Sequence, residues 1–368
     1  MRPARLLLLV LLTLVSLPIL SPRSAVGQAA GLSSCEPVAR PAATPVADAS
    51  PVAVAQPAAD TELVKATFGY VAVTNFAPVY VAKELGYFAE QGLDVEVKAF
   101  AGGAEMITDL ATGRLDAGMG GAGPGLFNAI DRGLPLKVIA PGHSEGVPVA
   151  TPLVVSKAAC ESGAVRSVAD LRGKKVAINA PGATEYWLGQ ALSTGGLTVA
   201  DVDLETIPFA DAVTALGSGA IDAAMLGEPT ATLAEQQGFG VRLATDFPVQ
   251  GITPTVVYAN ADFLSGEPDV ATKLMAGYLK ACRVIMERGL SDPTIAGIVA
   301  QYTNLPLDLI TTSVSPLFSV DGAINSDGLQ TLQAFFRGRG ELEYDADIAP
   351  TTFVDSSFID AAAQSLGA

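Results

Sequence analysis

The feature that most constrains the fold of this chain is an internal repeat. The segments Ile107–Met119 and Val213–Met225 share Leu, Gly, Asp, Ala and Met in the same register, at a constant offset of 106 residues. Each copy has the pattern of a helix end, a terminating glycine, and a short buried strand that opens with an apolar residue and Asp-Ala, here Asp116 and Asp222. A supersecondary unit that recurs at a fixed offset predicts two related lobes.

Short β-rich runs alternate with helical patterns around the two copies. Leu93–Phe100 alternates apolar and charged side chains, which is the period of a half-exposed strand. Pro78–Gln91 has a helical pattern, with proline in its first turn and Gly92 beyond its end. Further strands are expected at 64–70, 115–119, 174–178, 221–226 and 255–259, and further helices at 105–112, 184–193, 210–216 and 229–237. This alternation favours βαβ units, so we expect an α/β fold with mostly parallel sheets.

The predicted lobes divide the chain into five segments. They are a signal peptide at 1–27, an Ala/Pro-rich tether at 28–62, lobe 1 at 63–155, lobe 2 at 156–252, and a return to lobe 1 with C-terminal helices at 253–368. Ligands of such sheets bind beyond the carboxyl ends of the strands. Two facing lobes therefore enclose a cleft, which hinge motion can close around a ligand.

The N-terminus has the pattern of a secretory signal peptide. The apolar run Leu6–Leu20 follows Arg2 and Arg5 and precedes the small residues Ala25–Gly27. The run is shorter than the ~20 residues of a membrane-spanning helix, and an uncleaved anchor is the alternative. On either interpretation we expect an exported protein, periplasmic or at the cell surface.

The three cysteines leave two alternatives open. Leu32–Cys35 fits the lipobox pattern of lipid attachment in bacterial lipoproteins, although Cys35 lies far beyond the apolar run. In an oxidising compartment, two of Cys35, Cys160 and Cys282 can instead form a disulfide, and the sequence does not say which two. Lipid attachment at Cys35 is one prediction, and disulfide pairing is the other.

Charge and composition exclude several classes of protein. The formal net charge is −16 and the pI is about 4.4, so nucleic acid would be repelled. No pair of cysteines has the spacing of metal ligands, and the chain has a single histidine, His143. We therefore expect no metal and no cofactor. We expect His143 to lie in a solvated loop, and the alternative is that it lines the cleft near the edge of lobe 1.

Several sequence blocks resemble those of a known family. Pro78–Phe88 resembles the A-x-x-x-G-x-F helix end of the nitrate/sulfonate/taurine substrate-binding proteins of ABC importers, a family that also includes proteins binding thiamine pyrimidine precursors. The segments 113–118, 168–177 and 219–223, with Glu228-Pro229, are similar to further blocks of it. The resemblance covers roughly residues 63–368. It implies a type II periplasmic-binding-protein fold that works with an ABC permease and ATPase, with membrane contact only through that permease or a lipid anchor.

The candidate ligand-binding residues lie in the loops that follow the predicted strands, where helix N-termini and glycines expose backbone N–H groups. Trp187, the only tryptophan, either stacks on a planar ligand or packs in the core, and Glu228 either contacts the ligand or braces the lobes. The candidates are Thr74, Asn75, Phe76, Gly102, Gly103, Gly121, Ala122, Asn179, Gly182, Thr184, Glu185, Trp187 and Glu228.

These loops contain no lysine or arginine. A sulfonate or nitrate would then be held by helix N-termini and hydroxyls, which is physically sufficient. The amide, carboxylate and aromatic side chains suit a neutral planar heterocycle at least as well. We therefore expect a small organic solute, heterocyclic or sulfonate-like, and no catalytic residues. The alternatives are an enzyme of the thiamine-pyrimidine synthase type, whose cysteine-rich iron site this chain lacks, and an exported ligand-sensing domain.

Overall fold

The computed structural model describes residues 32, 34–36, 52–56, 62–100 and 102–367. The expected signal peptide and most of the expected tether lie outside the described residues. The strands are β1 Val64–Val71, β2 Leu93–Phe100, β3 Ala117–Gly121, β4 Leu136–Pro141, β5 His143–Ser144, β6 Leu153–Ser156, β7 Lys175–Ile178, β8 Asp203–Thr206, β9 Ala223–Met225, β10 Gly240–Ala244, β11 Thr255–Asn260 and β12 Leu317–Phe318.

Helices follow most of these strands and form the C-terminal part of the chain. They are α1 Ala77–Glu84, α2 Tyr87–Glu90, α3 Gly103–Ala111, α4 Pro124–Asp131, α5 Lys157–Glu161, α6 Ala183–Ser193, α7 Phe209–Ser218, α8 Thr230–Gln236, α9 Ala261–Gly266, α10 Pro268–Arg288, α11 Pro293–Thr303, α12 Leu307–Thr312, α13 Ser326–Gly338, α14 Pro350–Phe353 and α15 Ser357–Ser365. In the described ranges, no helix combines the length and apolar character that crossing a membrane requires.

Two five-stranded sheets form the two lobes. The first has the order β2-β1-β3-β11-β4, and the second has the order β8-β7-β9-β6-β10. In each sheet the first three strands are parallel, and the fourth runs antiparallel to both of its neighbours. The two-lobed α/β architecture predicted from the repeat is thus confirmed, with mixed rather than purely parallel sheets.

The boundary between the lobes lies slightly earlier than the sequence suggested. β6 pairs with β10 along its whole length and with β9 at residues 153–155, so the expected limit at residue 155 falls inside a strand of the second sheet. Leu153–Ser156 is an apolar run that could belong to either sheet by pattern alone. Its pairing partners, which are distant in sequence, decide the assignment.

Local sequence explains most element ends. The helix expected at 78–91 is interrupted because Gly86 adopts a left-handed conformation with φ 71°, which separates α1 from α2. β2 buries Leu93 and Val95 and exposes Asp94 and Glu96, as its alternation predicted. α10 is 21 residues long and buries one face, including Leu274 and Tyr278, against lobe 1.

The described residues of the expected tether contact both lobes. Cys35 forms a disulfide with Cys160 of α5, with a Cα–Cα distance of 5.7 Å, and Lys157 Nζ donates to the Cys35 carbonyl at 3.1 Å. On lobe 1, the Ala55 N–H donates to the Leu85 carbonyl at 2.8 Å. The disulfide uses the sulfur that a lipid thioether would need, so the structure contradicts lipid attachment at Cys35 and supports the pairing alternative.

Candidate functional site

A cavity of about 430 Å³ lies between the two lobes. This volume falls within the range of small-molecule sites in proteins. Both lobes contribute to its lining, mainly through the loops that follow the strands. The expected site residues that line it are Asn75, Phe76, Gly102, Gly103, Gly121, Asn179, Gly182, Thr184 and Trp187. The structure thus brings these residues together, and their contact with a ligand stays a prediction.

Four expected residues, Thr74, Ala122, Glu185 and Glu228, lie behind the cavity wall. Thr74 Oγ1 donates to the Glu228 carbonyl at 2.7 Å, which joins lobe 1 to lobe 2. Ala122 is fully buried, and its N–H donates to the Pro254 carbonyl at 2.8 Å. These positions are close to the cavity in sequence, but their side chains point into packed protein.

The Glu228 side chain belongs to a buried ionic cluster in lobe 2. Its Oε1 lies 2.6 Å from Arg242 Nη2, and Arg242 Nε donates to Glu235 Oε2 at 3.0 Å. Burial lowers the pKa of Arg242, but the charges of the two glutamates outweigh this effect and raise it above its usual value. Glu228 Oε1 also accepts from the Val314 N–H at 3.2 Å. The sequence allowed Glu228 either to contact the ligand or to brace the lobes, and these contacts favour the second interpretation.

Glu185 is directed away from the cavity, toward the C-terminal region. Its Oε1 accepts from Arg339 Nε at 2.7 Å, and its side chain is 2% exposed. The neighbouring Glu341 has a pKa raised to about 7, because it is partly buried and because Glu185 lies close to it. Glu185 was expected to contact the ligand. It does not line the cavity because α6 directs Trp187, rather than Glu185, toward it.

Three helices begin at the cavity, each after a glycine that provides no side-chain cap. These are α3 after Gly102, α4 after Gly123, and α6 after Gly182. Helix N-termini carry partial positive charge and N–H groups without intrahelical partners, so they attract anionic or acceptor groups. The cavity therefore has an electropositive region made of backbone alone.

The two lobes touch at the rim of the cavity. A Cβ on Gly123 of lobe 1 would lie only 2.9 Å from the Cα of Gly182 in lobe 2. Gly182 has φ 131° and ψ −136°, a conformation that essentially only glycine adopts. The pair of glycines allows the N-termini of α4 and α6 to approach closely across the cavity.

The solvated loop expected for His143 is wrong, and the alternative position at the cleft agrees with the structure. It is 4% exposed and lines the cavity. Its Nε2 lies 3.0 Å from Asn75 Nδ2, and its Nδ1 lies 2.8 Å from Thr255 Oγ1, which also accepts from the His143 N–H at 2.9 Å. The position follows β4, just as the other candidate loops follow their strands.

Glu145 lies behind His143 and was not foreseen. Its Oε1 accepts from Trp187 Nε1 at 2.9 Å and lies 3.7 Å from His143 Nε2, while its Oε2 accepts from the Ala150 N–H at 2.5 Å. Burial raises the pKa of Glu145, but the hydrogen bond and charge of His143, with hydrogen bonds from Thr151 and Trp187, outweigh it and lower the pKa. Glu145 thus holds the indole of Trp187 in place and lies close to the imidazole of His143.

Trp187 was expected either to stack on a ligand or to pack in the core, and its position combines a place at the cavity with core packing. It lines the cavity but is only 1% exposed, because it also packs in the core beside Tyr186, with ring centroids 5.4 Å apart. Its indole N–H is fixed by Glu145. Such a ring is held rigidly and can offer only part of its surface to a ligand.

The remaining lining is mostly apolar. Among the described residues that form it, none is lysine or arginine, and Glu105 is the one carboxylate. The larger apolar side chains are Val71, Val73, Phe76, Ile107, Leu126 and Phe209. Elsewhere in the described ranges, no group of three or more His, Cys, Asp or Glu side chains is arranged to hold a metal ion.

Two relatives with similar sequences are named as binding proteins. The chain is 27% identical over 286 residues to YtlA of Bacillus subtilis, named as a binding protein, covering 73% of this chain and 80% of that one. It is 25% identical over 257 residues to the nitrate/nitrite binding protein NrtA of Nostoc, covering 66% of this chain. The chain spans 57% of the length of NrtA.

Solved structures show the same fold. The alkanesulfonate-binding protein SsuA of Xanthomonas axonopodis pv. citri, bound to MOPS, matches with a TM-score of 0.65 and 20% identity, over 80% of this chain and 99% of that one. The desulfurization enzyme DszB matches with a TM-score of 0.58 and 14% identity, over 82% of this chain and 99% of that one. The fold thus serves both binding proteins and an enzyme. Residues 59–300 match the NMT1-like family, and the chain belongs to that family.

Proposed function

We propose that this chain is the exported solute-binding component of an ABC importer and that it captures a small organic solute in the cavity between its lobes. The single observation that carries the proposal is that cavity, because two similar lobes enclose a volume of ligand size and meet at Gly123 and Gly182. The binding-protein names of the relatives support it.

The lining favours a solute with an apolar body and one compact polar end. Phe76, Ile107 and Phe209 would pack against the body, because burial of apolar surface drives binding in such pockets. The N-termini of α3, α4 and α6 would hold a sulfonate or carboxylate group, or the acceptor edge of a heterocycle. A bare inorganic anion would leave the apolar walls without a partner, so it fits this cavity less well.

Binding is expected to close the lobes without chemical turnover. Among the described lining residues there is no cysteine, and Cys282 lies buried in the lobe 1 core. His143 is the one histidine, and no cysteine-rich iron site accompanies it. These features favour the non-enzyme alternative. Release of product from any bound compound, detected by mass spectrometry, would refute it.

An ABC permease and its ATPase are the partners that this function requires. The chain would act outside the cytoplasmic membrane, in accordance with the signal-peptide pattern at residues 1–27. The sulfur of Cys35 is occupied by the disulfide, so membrane contact would occur through the permease rather than through a lipid at that residue.

The first experiment is a thermal-shift screen of alkylsulfonates, aryl sulfonates, taurine, nitrate, bicarbonate and pyrimidine heterocycles. A ligand that binds only the folded state raises the melting temperature in proportion to the logarithm of its concentration. Hits are then titrated while the emission of Trp187, the only tryptophan, is recorded. We expect organic solutes to give larger shifts than nitrate or bicarbonate.

A cavity-filling variant tests whether the hits bind between the lobes. A Cβ on Gly121 would meet no atom within 4 Å, so the side chain of Gly121→Leu would enter the empty cavity. The matched control is Gly297→Leu, at an exposed position of α11 where an added Cβ also meets no atom within 4 Å. Loss of the thermal shift in the first variant only is the expected result. Equal shifts in both variants would refute this location.

A further inference from the structure

The charged side chains around the cavity do not favour an anionic ligand. The Glu145 carboxyl lies directly behind the wall, 3.7 Å from His143 Nε2, and Glu105 is an exposed carboxylate at the start of α3. No lysine or arginine among the described lining residues offsets them. A charge on the buried Glu145 carboxyl would repel an anion in the cavity, so a nearby cation would strengthen the binding that the helix N-termini provide.

His143 is the lining side chain that can supply the missing positive charge. It lies between Glu145, 3.7 Å from its Nε2, and the cavity that it lines. A protonated imidazole in this position would form an ion pair with Glu145 and present a net neutral wall to the ligand. Glu145 faces the imidazole directly, the exposed Glu105 lines the same cavity, and Tyr278 of α10 donates its hydroxyl at 2.8 Å to the carbonyl of Pro141, two residues before His143.

Asn75 couples the state of His143 to the ligand. With neutral imidazole, Asn75 Nδ2 donates to Nε2 across 3.0 Å and the amide oxygen is held only by a long contact of 3.5 Å from Thr74 Oγ1. Protonated Nε2 can no longer accept, so the amide must rotate and offer its oxygen instead. The NH2 group of Asn75, which lines the cavity, would then be available to an anionic ligand.

We propose that His143 and Asn75 form a protonation-dependent ligand switch, in which an anionic organic solute binds together with one proton on His143 Nε2. This inference rests on the solute-binding function proposed above and specifies how one ligand class is recognised. The proton comes from the solvent and stays on the imidazole while the ligand is bound. Without it, the wall presents the amide oxygen of Asn75, which suits a ligand that donates hydrogen bonds.

The test compares a matched pair of probes, benzenesulfonate and neutral benzenesulfonamide. Titration calorimetry of the wild-type protein between pH 5.5 and 8 gives the Kd, and repetition in buffers of different ionisation enthalpy gives the number of protons taken up. We expect sulfonate affinity to rise about tenfold per unit fall in pH on the alkaline side of the transition, with about one proton bound. Sulfonamide affinity should be independent of pH.

Two variants separate the switch from general cavity packing. His143→Gln retains a polar side chain that cannot become cationic, so it should bind sulfonate weakly and without pH dependence. Phe209→Leu alters the apolar lining only and should weaken both probes while the pH dependence remains. Circular dichroism and thermal melting check that each variant is folded, and the proton count on the wild-type protein requires no variant.

The possible failures are distinguishable. Sulfonate binding to the wild-type protein without proton uptake would overturn the switch and leave the solute-binding function intact. Persistence of the pH dependence in folded His143→Gln would also overturn the switch alone. Binding of neither probe at any pH would overturn the switch together with the ligand class on which it rests.

Discussion

Asp116 and Asp222 perform the same structural task in the two lobes. Asp116 Oδ2 accepts from the Thr67 N–H at 2.7 Å, and Asp222 Oδ2 accepts from the Lys175 N–H at 3.0 Å. Each aspartate precedes the central strand of its sheet and binds the backbone of the adjacent parallel strand. The 106-residue repeat therefore reflects a shared way of fixing the register of two strands.

Removing either carboxylate should destabilise its lobe. Asp116 also accepts from Thr67 Oγ1 at 2.8 Å, so Asp116→Ala loses two hydrogen bonds and Asp222→Ala loses one. We expect a fall in the free energy of unfolding of about 1–3 kcal/mol for Asp116→Ala and a smaller fall for Asp222→Ala. Urea unfolding measures both, and the reverse order would contradict this assignment.

The buried Arg242 cluster should be sensitive to loss of its cation. Arg242→Ala leaves Glu228 and Glu235 without that partner in a site where Arg242 is 8% exposed. Breaking such a buried pair typically costs about 3–5 kcal/mol in the free energy of unfolding. The control adds Glu228→Gln and Glu235→Gln to Arg242→Ala, which should restore part of the loss. No recovery in that variant would indicate that packing, rather than charge, causes the effect.

Glu341 should make stability depend on pH. Its pKa is raised from 4.5 to about 7 in the folded protein, so the folded state holds a proton that the unfolded chain has released. The free energy of unfolding should therefore decrease as the pH rises from about 4.5 through about 7. Glu341→Gln should remove this component of the decline.

The control for that measurement is Glu343→Gln, which removes a carboxylate two residues away that pairs with Arg132. It should keep the wild-type decline. Both variants are unfolded with urea at a series of pH values, and parallel profiles for wild-type and Glu341→Gln would exclude Glu341 as the source.

The disulfide between Cys35 and Cys160 should stabilise the protein. The two residues are 125 positions apart, so the bond restricts a long loop in the unfolded chain. Replacing both cysteines by serine should lower the free energy of unfolding by about 2–4 kcal/mol. Non-reducing peptide mapping of exported protein should recover the linked pair, with Cys282 as a free thiol that reacts only after unfolding. A lipid-modified Cys35 in that map would contradict the disulfide.

Local periodicity made much of the fold predictable. The alternation in Leu93–Phe100 and the repeated helix–glycine–strand unit are properties of neighbouring residues, so the strands and the two lobes could be predicted from the sequence. Glycine-rich loops after strands were also predictable as cavity walls, because the carboxyl ends of parallel strands meet at one edge.

The sequence by itself determined the two-lobed α/β architecture and the loops that face the cleft, since both follow from short-range patterns. Tertiary structure alone decided which side chains those loops present. Glu185 pairs with Arg339, 154 residues away, and His143 is buried against Asn75, 68 residues away. Such pairings depend on how distant segments pack, so no local sequence pattern predicts them. For the same reason, only the folded chain identified the partner of Cys35 and placed a histidine–carboxylate pair at the cavity wall.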